Sequence, residues 1–198
     1  MIPNSHTLVI DAGNTRIKVG VFHHADLEEV RTYTTDQLSA LKSFLQEHRD
    51  WPAIIASVKA DKDTKWIKQW LKNAIVFTTS MKLPLKMGYE TPQTLGVDRI
   101  CNAVAGFHIA KGACLTIDVG TCIKYDLVTA DGTYQGGSIS PGIELRYRAM
   151  HTFTGKLPLI QDVVIPPVTG KNTFDAMRSG VMHGIRNEML GFIAHYRE

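Results

Sequence analysis

No apolar run approaches the roughly 20 residues that a membrane-spanning helix needs, so no such span is expected. No long basic run is present either. Against 19 acidic residues the 22 lysines and arginines leave a net charge of +3, too mild for the basic stripe that marks a nucleic-acid surface. Cysteine is scarce, with only Cys101, Cys114 and Cys122. An odd number without framework spacing excludes a disulfide scaffold and points to a reducing, cytoplasmic setting. No cysteine pair has C-x-x-C spacing, and the eight histidines complete no zinc pattern. His23 and His24 are adjacent, so on a strand they would face opposite ways, a poor geometry for sharing a metal. The residues before Asp11 include no lysine or arginine, so no secretory leader is expected there.

Two phosphate signatures are also missing. Gly170-Lys171-Asn172-Thr173 resembles the end of a P-loop. Asn172, however, stands where Ser or Thr must follow the lysine, and Ile165 where the leading glycine belongs. No strand-like run is followed by G-x-G-x-x-G, so dinucleotide binding is not indicated. What is present is an ordinary globular composition, 44% hydrophobic over 198 residues. That is enough for one large domain or two small ones.

Within it, one unit occurs twice. Thr7–Phe22 and Ala113–Val128 each run from an apolar β-branched stretch into Asp-x-Gly, then a hydroxyl-bearing turn, Ile-Lys and a second strand-like stretch. With one residue of slippage Asp11, Gly13 and Lys18 align with Asp118, Gly120 and Lys124. The expected structure is strand, tight glycine turn, strand, and the repeat suggests two related halves. An Asp closing a buried strand can hold a hydrated Mg²⁺, which takes one or two carboxylates plus phosphate oxygens. The glycine lets backbone approach a phosphate closely, and Asn14, Thr15 and Thr121 offer hydroxyl, amide and N–H donors. A lone Asp-x-Gly is an ordinary turn. Two copies, each after a buried strand, favour a polyphosphate clamp.

Between the copies the pattern alternates. Helices are expected over Leu38–Glu47 and Thr64–Asn73, strands over Ala53–Val58 and Ala74–Phe77, and a loop over residues 81 to 95. Trp66 and Trp70 read as one buried helical face rather than a cofactor platform. A helix then starts near Asp98 and runs through Ile100–Val104. Asp98 is either a plain N-cap or a carboxylate that takes a proton from a substrate hydroxyl during phosphoryl transfer. Arg99 is either a cation for an anionic substrate or half of a solvated ion pair.

Taken together these residues resemble the type III pantothenate kinase family. The resemblance runs through nearly the whole chain. It rests on Asp11–Lys18, Gly96-Val97-Asp98-Arg99, Asp118–Thr121, Gly136–Gly142, Thr154–Pro158 and Asn172–Gly180, in that order. It implies an α/β fold of two ribonuclease-H-like, actin-like ATPase halves with the nucleotide in the cleft between them. The halves are expected at 1–105, with the first phosphate motif and the catalytic segment, and at 106–198, with the second. Members of the family continue several dozen residues further, so the second half is expected to be incomplete at its end.

The resemblance also implies ATP-dependent phosphorylation of pantothenate, with Mg²⁺ accompanying ATP. Asp98 would be the general base. Asp11, Ala12, Gly13, Asn14, Thr15, Arg16, Ile17, Lys18 and Thr121 would contact ATP. Tyr89, Gly96, Val97, Asp98, Arg99 and Thr173 would hold pantothenate; Thr173 would also suit a helix N-cap before Phe174–His195. Asp118 would bind a monovalent cation, K⁺ or NH₄⁺, and the protein would be a cytoplasmic homodimer. Two rival readings remain at this stage. One is a non-catalytic ATP-binding regulator on the same fold, which would have no need of Asp98. The other is a kinase of the same superfamily for another small hydroxyl or carboxylate substrate.

Overall fold

The computed structural model describes residues 6–13, 15–57 and 61–197. The chain divides into two compact units, Met1–Leu83 with Thr91–Cys101, and Pro84–Glu90 with Asn102–Glu198.

In the first unit β1 (His6–Ala12) and β2 (Ile17–His23) form an antiparallel hairpin, extended by β3 (Asp26–Tyr33). Helix α1 (Leu38–Glu47) leads to β4 (Pro52–Ser57), and α2 (Asp61–Lys68) to β5 (Asn73–Val76). Both β4 and β5 run parallel to β1, and the strand order is β3-β2-β1-β4-β5. Three antiparallel strands continued by two parallel ones are the ribonuclease-H-like arrangement.

Side-chain alternation explains the packing. Leu8, Ile10 and Ala12 of β1 and Ile17, Val19 and Val21 of β2 are buried, as period-two spacing on one sheet face requires. Leu41, Phe44 and Leu45, three and four apart on α1, join the same core. Trp66 and Trp70, both partly buried, also pack against that core, although Trp70 lies beyond the end of α2 and so not on one helical face with Trp66. Helix α2 stops at Lys68, short of the expected Asn73. The physical reason is that Asn73 and Ala74 already pair with Pro52 and Ala53 in the sheet. Val58, expected to end β4, lies outside the described residues. His24 has φ 56° and its ring lies 4.5 Å from that of His23. The hairpin turn therefore brings the two rings together instead of sending them to opposite faces.

In the second unit β7 (Cys114–Val119), β8 (Cys122–Val128) and β9 (Thr133–Pro141) repeat the antiparallel meander. The short β6 (Lys86–Met87) pairs parallel to β9, giving the order β6-β9-β8-β7. That pairing is why Pro84–Glu90 belongs to this unit, and it replaces part of the loop expected over residues 81 to 95. Helices α4 (Ile143–Phe153) and α5 (Thr173–His195) cover one face. Their Tyr147, Met177, Val181 and Ile185 meet Ile123 and Tyr125 of β8 in a second core. Helix α3 (Val97–Ala110) brings Gly106 against the Thr116 methyl of β7 so closely that no Cβ would fit. The fold is thus the expected α/β one, with two units built on the same three-stranded meander.

Candidate active site

The first glycine turn closes β1 onto β2. Asp11 stands opposite Lys18, Ala12 opposite Ile17, and the turn spans Gly13–Arg16. A Cβ on Gly13 would lie 3.2 Å from the Arg16 carbonyl oxygen, so glycine lets the turn close. Asp11 also neighbours Ala56 of parallel β4, and therefore sits at the carboxyl ends of parallel strands, where α/β sheets bind ligands. Asp11, Thr15, Arg16 and Lys18 are exposed, whereas Ala12 and Ile17 are buried. The latter two belong to the sheet core, and only their backbone could meet a phosphate. Asn14 lies outside the described residues.

In the same unit, Gly96 caps α3: its carbonyl accepts from Arg99 N at 3.1 Å and from Ile100 N at 3.4 Å. Asp98 is therefore not the cap. It lies in the first turn, and its carboxyl folds back over Gly96, where a Cβ would come 2.5 Å from Oδ1. Arg99 is only 6% exposed, which excludes the solvated ion pair.

One helical turn on, burial pushes the thiol of Cys101 up to about 11, and the charges of Asp11 and Asp98 add to the shift. Both carboxylates act on the same thiol, so the end of β1 and the start of α3 converge. The sequence reading assigned Cys101 no place in this site. Its spacing of three from Asp98 on a helix was the available signal.

In the second unit Asp118 stands directly opposite Lys124, and Nζ donates to Oδ2 at 2.8 Å. The backbone of the Gly120–Thr121 turn packs on the start of α4, with Gly142 N donating to the Thr121 carbonyl at 2.9 Å. A Cβ on Gly142 would run into the Gly120 and Thr121 carbonyl oxygens. The exposed Thr121 thus sits beside a helix N-terminus, which favours anions. A cavity of about 720 Å³ opens there, lined by Gly120, Thr121, Ile143, Tyr147 and Arg148 among others. That size suits a small molecule.

Behind the turn, Glu188 of α5 accepts from Tyr125 Oη at 2.9 Å, from Ser140 Oγ and from Arg146, which also donates to the Pro141 carbonyl at 2.7 Å. These bonds tie both helices to the end of β9. Burial raises the Tyr125 hydroxyl to about 12, with Glu188 adding to the shift. For Glu188 burial works upward, but the hydrogen bonds from Ser140, Arg146 and Tyr125 outweigh it and hold the carboxyl below its usual value.

The described polar groups of the two turns now have positions, and the order of the motifs agrees with one known family. The sequence model of type III pantothenate kinase matches residues 7–195. The chain belongs to the type III pantothenate kinase family.

A type III pantothenate kinase of Cytophaga hutchinsonii is 37% identical over 96% of this chain and 80% of its own length. One of Bacteroides fragilis is 39% identical over 94% of this chain and 78% of its own. Among solved structures, an Aquifex aeolicus Ppx/GppA phosphatase is 13% identical, with a TM-score of 0.47 over 79% of this chain and 58% of that one. That likeness is too slight to carry an argument.

The two remaining positions expected to meet pantothenate lie in the second unit. Tyr89 follows β6, and Gly88 N donates to the Tyr134 carbonyl at 2.9 Å. Its ring lies over Gly136, where a Cβ would come within 2.7 Å, and 6.0 Å from the Tyr134 ring. Tyr134 in turn donates to the buried Asp126 at 2.6 Å. Thr173 is not the cap of α5. Asn172 is, through Oδ1 accepting from Asp175 N at 2.9 Å, and Thr173 stands exposed at the first helical position.

Proposed function

We propose that this chain transfers the γ-phosphoryl group of ATP to the hydroxyl of pantothenate, giving 4'-phosphopantothenate in the first step of coenzyme A biosynthesis. Family membership supports the reaction. The observation that carries the choice of base is the carboxyl of Asp98, off the helix cap, folded over Gly96 and convergent with Asp11. Phosphoryl transfer demands alignment and charge neutralisation more than covalent chemistry. Asp98 takes the proton of the acceptor hydroxyl, which requires a separation of about 2.6–3.2 Å. Gly96–Arg99, Tyr89 and Thr173 hold pantothenate. The turn from Asp11 to Lys18 and Thr121 hold the phosphates of ATP.

Asp11 is an exposed carboxylate at a strand end, a donor that fits Mg²⁺. When bound with ATP, that ion would neutralise charge on the β- and γ-phosphates. For the expected K⁺ or NH₄⁺ at Asp118 the fit is poor, because Oδ2 already accepts from Lys124. Exposed Val163, Ile165 and Val168 offer an apolar surface for a homodimer. Among the described residues no helix is long and apolar enough to cross a membrane, and the three cysteines are free, which supports a cytoplasmic place.

ADP release by the purified protein tests the reading, with ATP and Mg²⁺ and with or without pantothenate. Release is expected to depend on pantothenate and to fall at least about a hundredfold in Asp98→Asn, with ATP binding retained. Turnover near wild type in that variant would refute the base; ATP binding without pantothenate-dependent release would favour a regulator.

A further inference from the structure

The second phosphate turn contains its own monovalent cation. Asp118 and Lys124 are directly opposed on β7 and β8, each three residues from Thr121 in the turn between them. Their side chains are 36% and 20% exposed, and Nζ lies 2.8 Å from Oδ2. Neighbouring pairs in the same ladder hold the two strands in register on both sides, Ile117 with Tyr125 and Val119 with Ile123. The ammonium is thus delivered to the carboxylate by the sheet itself, with no association step. A free K⁺ or NH₄⁺ carries the same single charge and would compete for the same oxygen. Placing it there would set two cations against one carboxylate at close range, which is repulsive.

We propose that the Lys124 ammonium stands in for the free monovalent cation at Asp118, so that turnover needs neither K⁺ nor NH₄⁺. Lys124 is a positioning residue. It neutralises Asp118, which would otherwise repel phosphates arriving at the Thr121 turn, and keeps that strand end in place. The inference rests on the kinase reading for its consequence in turnover, but not for the ion pair itself.

The test is thermal melting of the nucleotide-free protein in potassium chloride against choline chloride at equal ionic strength, followed by ADP release in the same salts. For the wild type the two melting temperatures are expected to coincide and the two rates to agree within about twofold. Lys124→Met is expected to melt about 3 °C higher in potassium than in choline and to lose about tenfold in rate in choline, recovered by potassium. Lys124→Arg, which keeps the charge, is expected to behave as wild type.

A saturable rise of the wild-type melting temperature with potassium would overturn the proposal, as would a folded Lys124→Met that gains no potassium response. If Lys124→Met does not fold, the wild-type comparison decides alone. Because the melt needs neither ATP nor pantothenate, loss of the kinase reading would leave it interpretable.

Discussion

Asp98 and Gly96 are sterically coupled. The carboxyl lies in the volume where any other side chain at position 96 would place its Cβ, 2.5 Å from Oδ1. Gly96→Ala must therefore move the carboxyl, while its cost to the helix start is small. The expected outcome is a fall in kcat of about tenfold to a hundredfold, with a melting temperature within about 2 °C of wild type. ADP-release kinetics and a melt measured together check it. A second residue-level prediction concerns Glu188, whose carboxyl is held below the usual value of 4.5. A depressed folded value means stability that is full above the unfolded value and lost as pH falls through the folded one. Melting of the wild type is thus expected to weaken as pH drops below about 4.5, and Glu188→Gln to weaken less over the same window.

At the scale of elements, caps and pairings decide what could be read in advance. The two hairpins were legible because strand alternation and Asp-x-Gly leave a local trace, and Leu38–Glu47 is the observed α1. The extent of α2 was not legible, because its end is set by β5 pairing with β4, a contact between segments distant in sequence. The same holds for Lys86–Met87, whose strand character exists only through β9. The caps lie slightly earlier than the sequence suggested. Gly96, two residues before Asp98, takes the role that was one of two readings for Asp98, and Asn172, directly before Thr173, takes the role expected of Thr173. This yields a paired prediction. Asn172→Ala removes the cap and should cost about 1 kcal/mol, or roughly 2–4 °C of melting temperature, without changing KM for pantothenate. Thr173→Ala should leave the melt unchanged and raise that KM several-fold. Reversed behaviour would return the cap to Thr173.

Over the whole molecule, two cores with no shared member carry the two glycine turns. Ile10→Ala, in the first, is expected to cost about 2–5 kcal/mol. Hydrogen exchange should then accelerate in β1, β2 and β4 before it does in β7–β9. The site residues themselves divided along a physical line. Polar residues on local motifs could be recognised, whereas Tyr125, Ser140, Arg146 and Glu188 act together across four elements, and no linear pattern announces them. Cys101 belongs with that second group, and its setting has a chemical consequence. With its thiol pushed up to about 11, only about one molecule in ten thousand carries the thiolate at neutral pH. Burial, with the carboxylates beside it adding to the shift, thereby insulates it from oxidants and electrophiles. A cysteine can sit one helical turn from the proposed base without becoming a competing nucleophile or an oxidation hazard, as long as the packing around it stays closed.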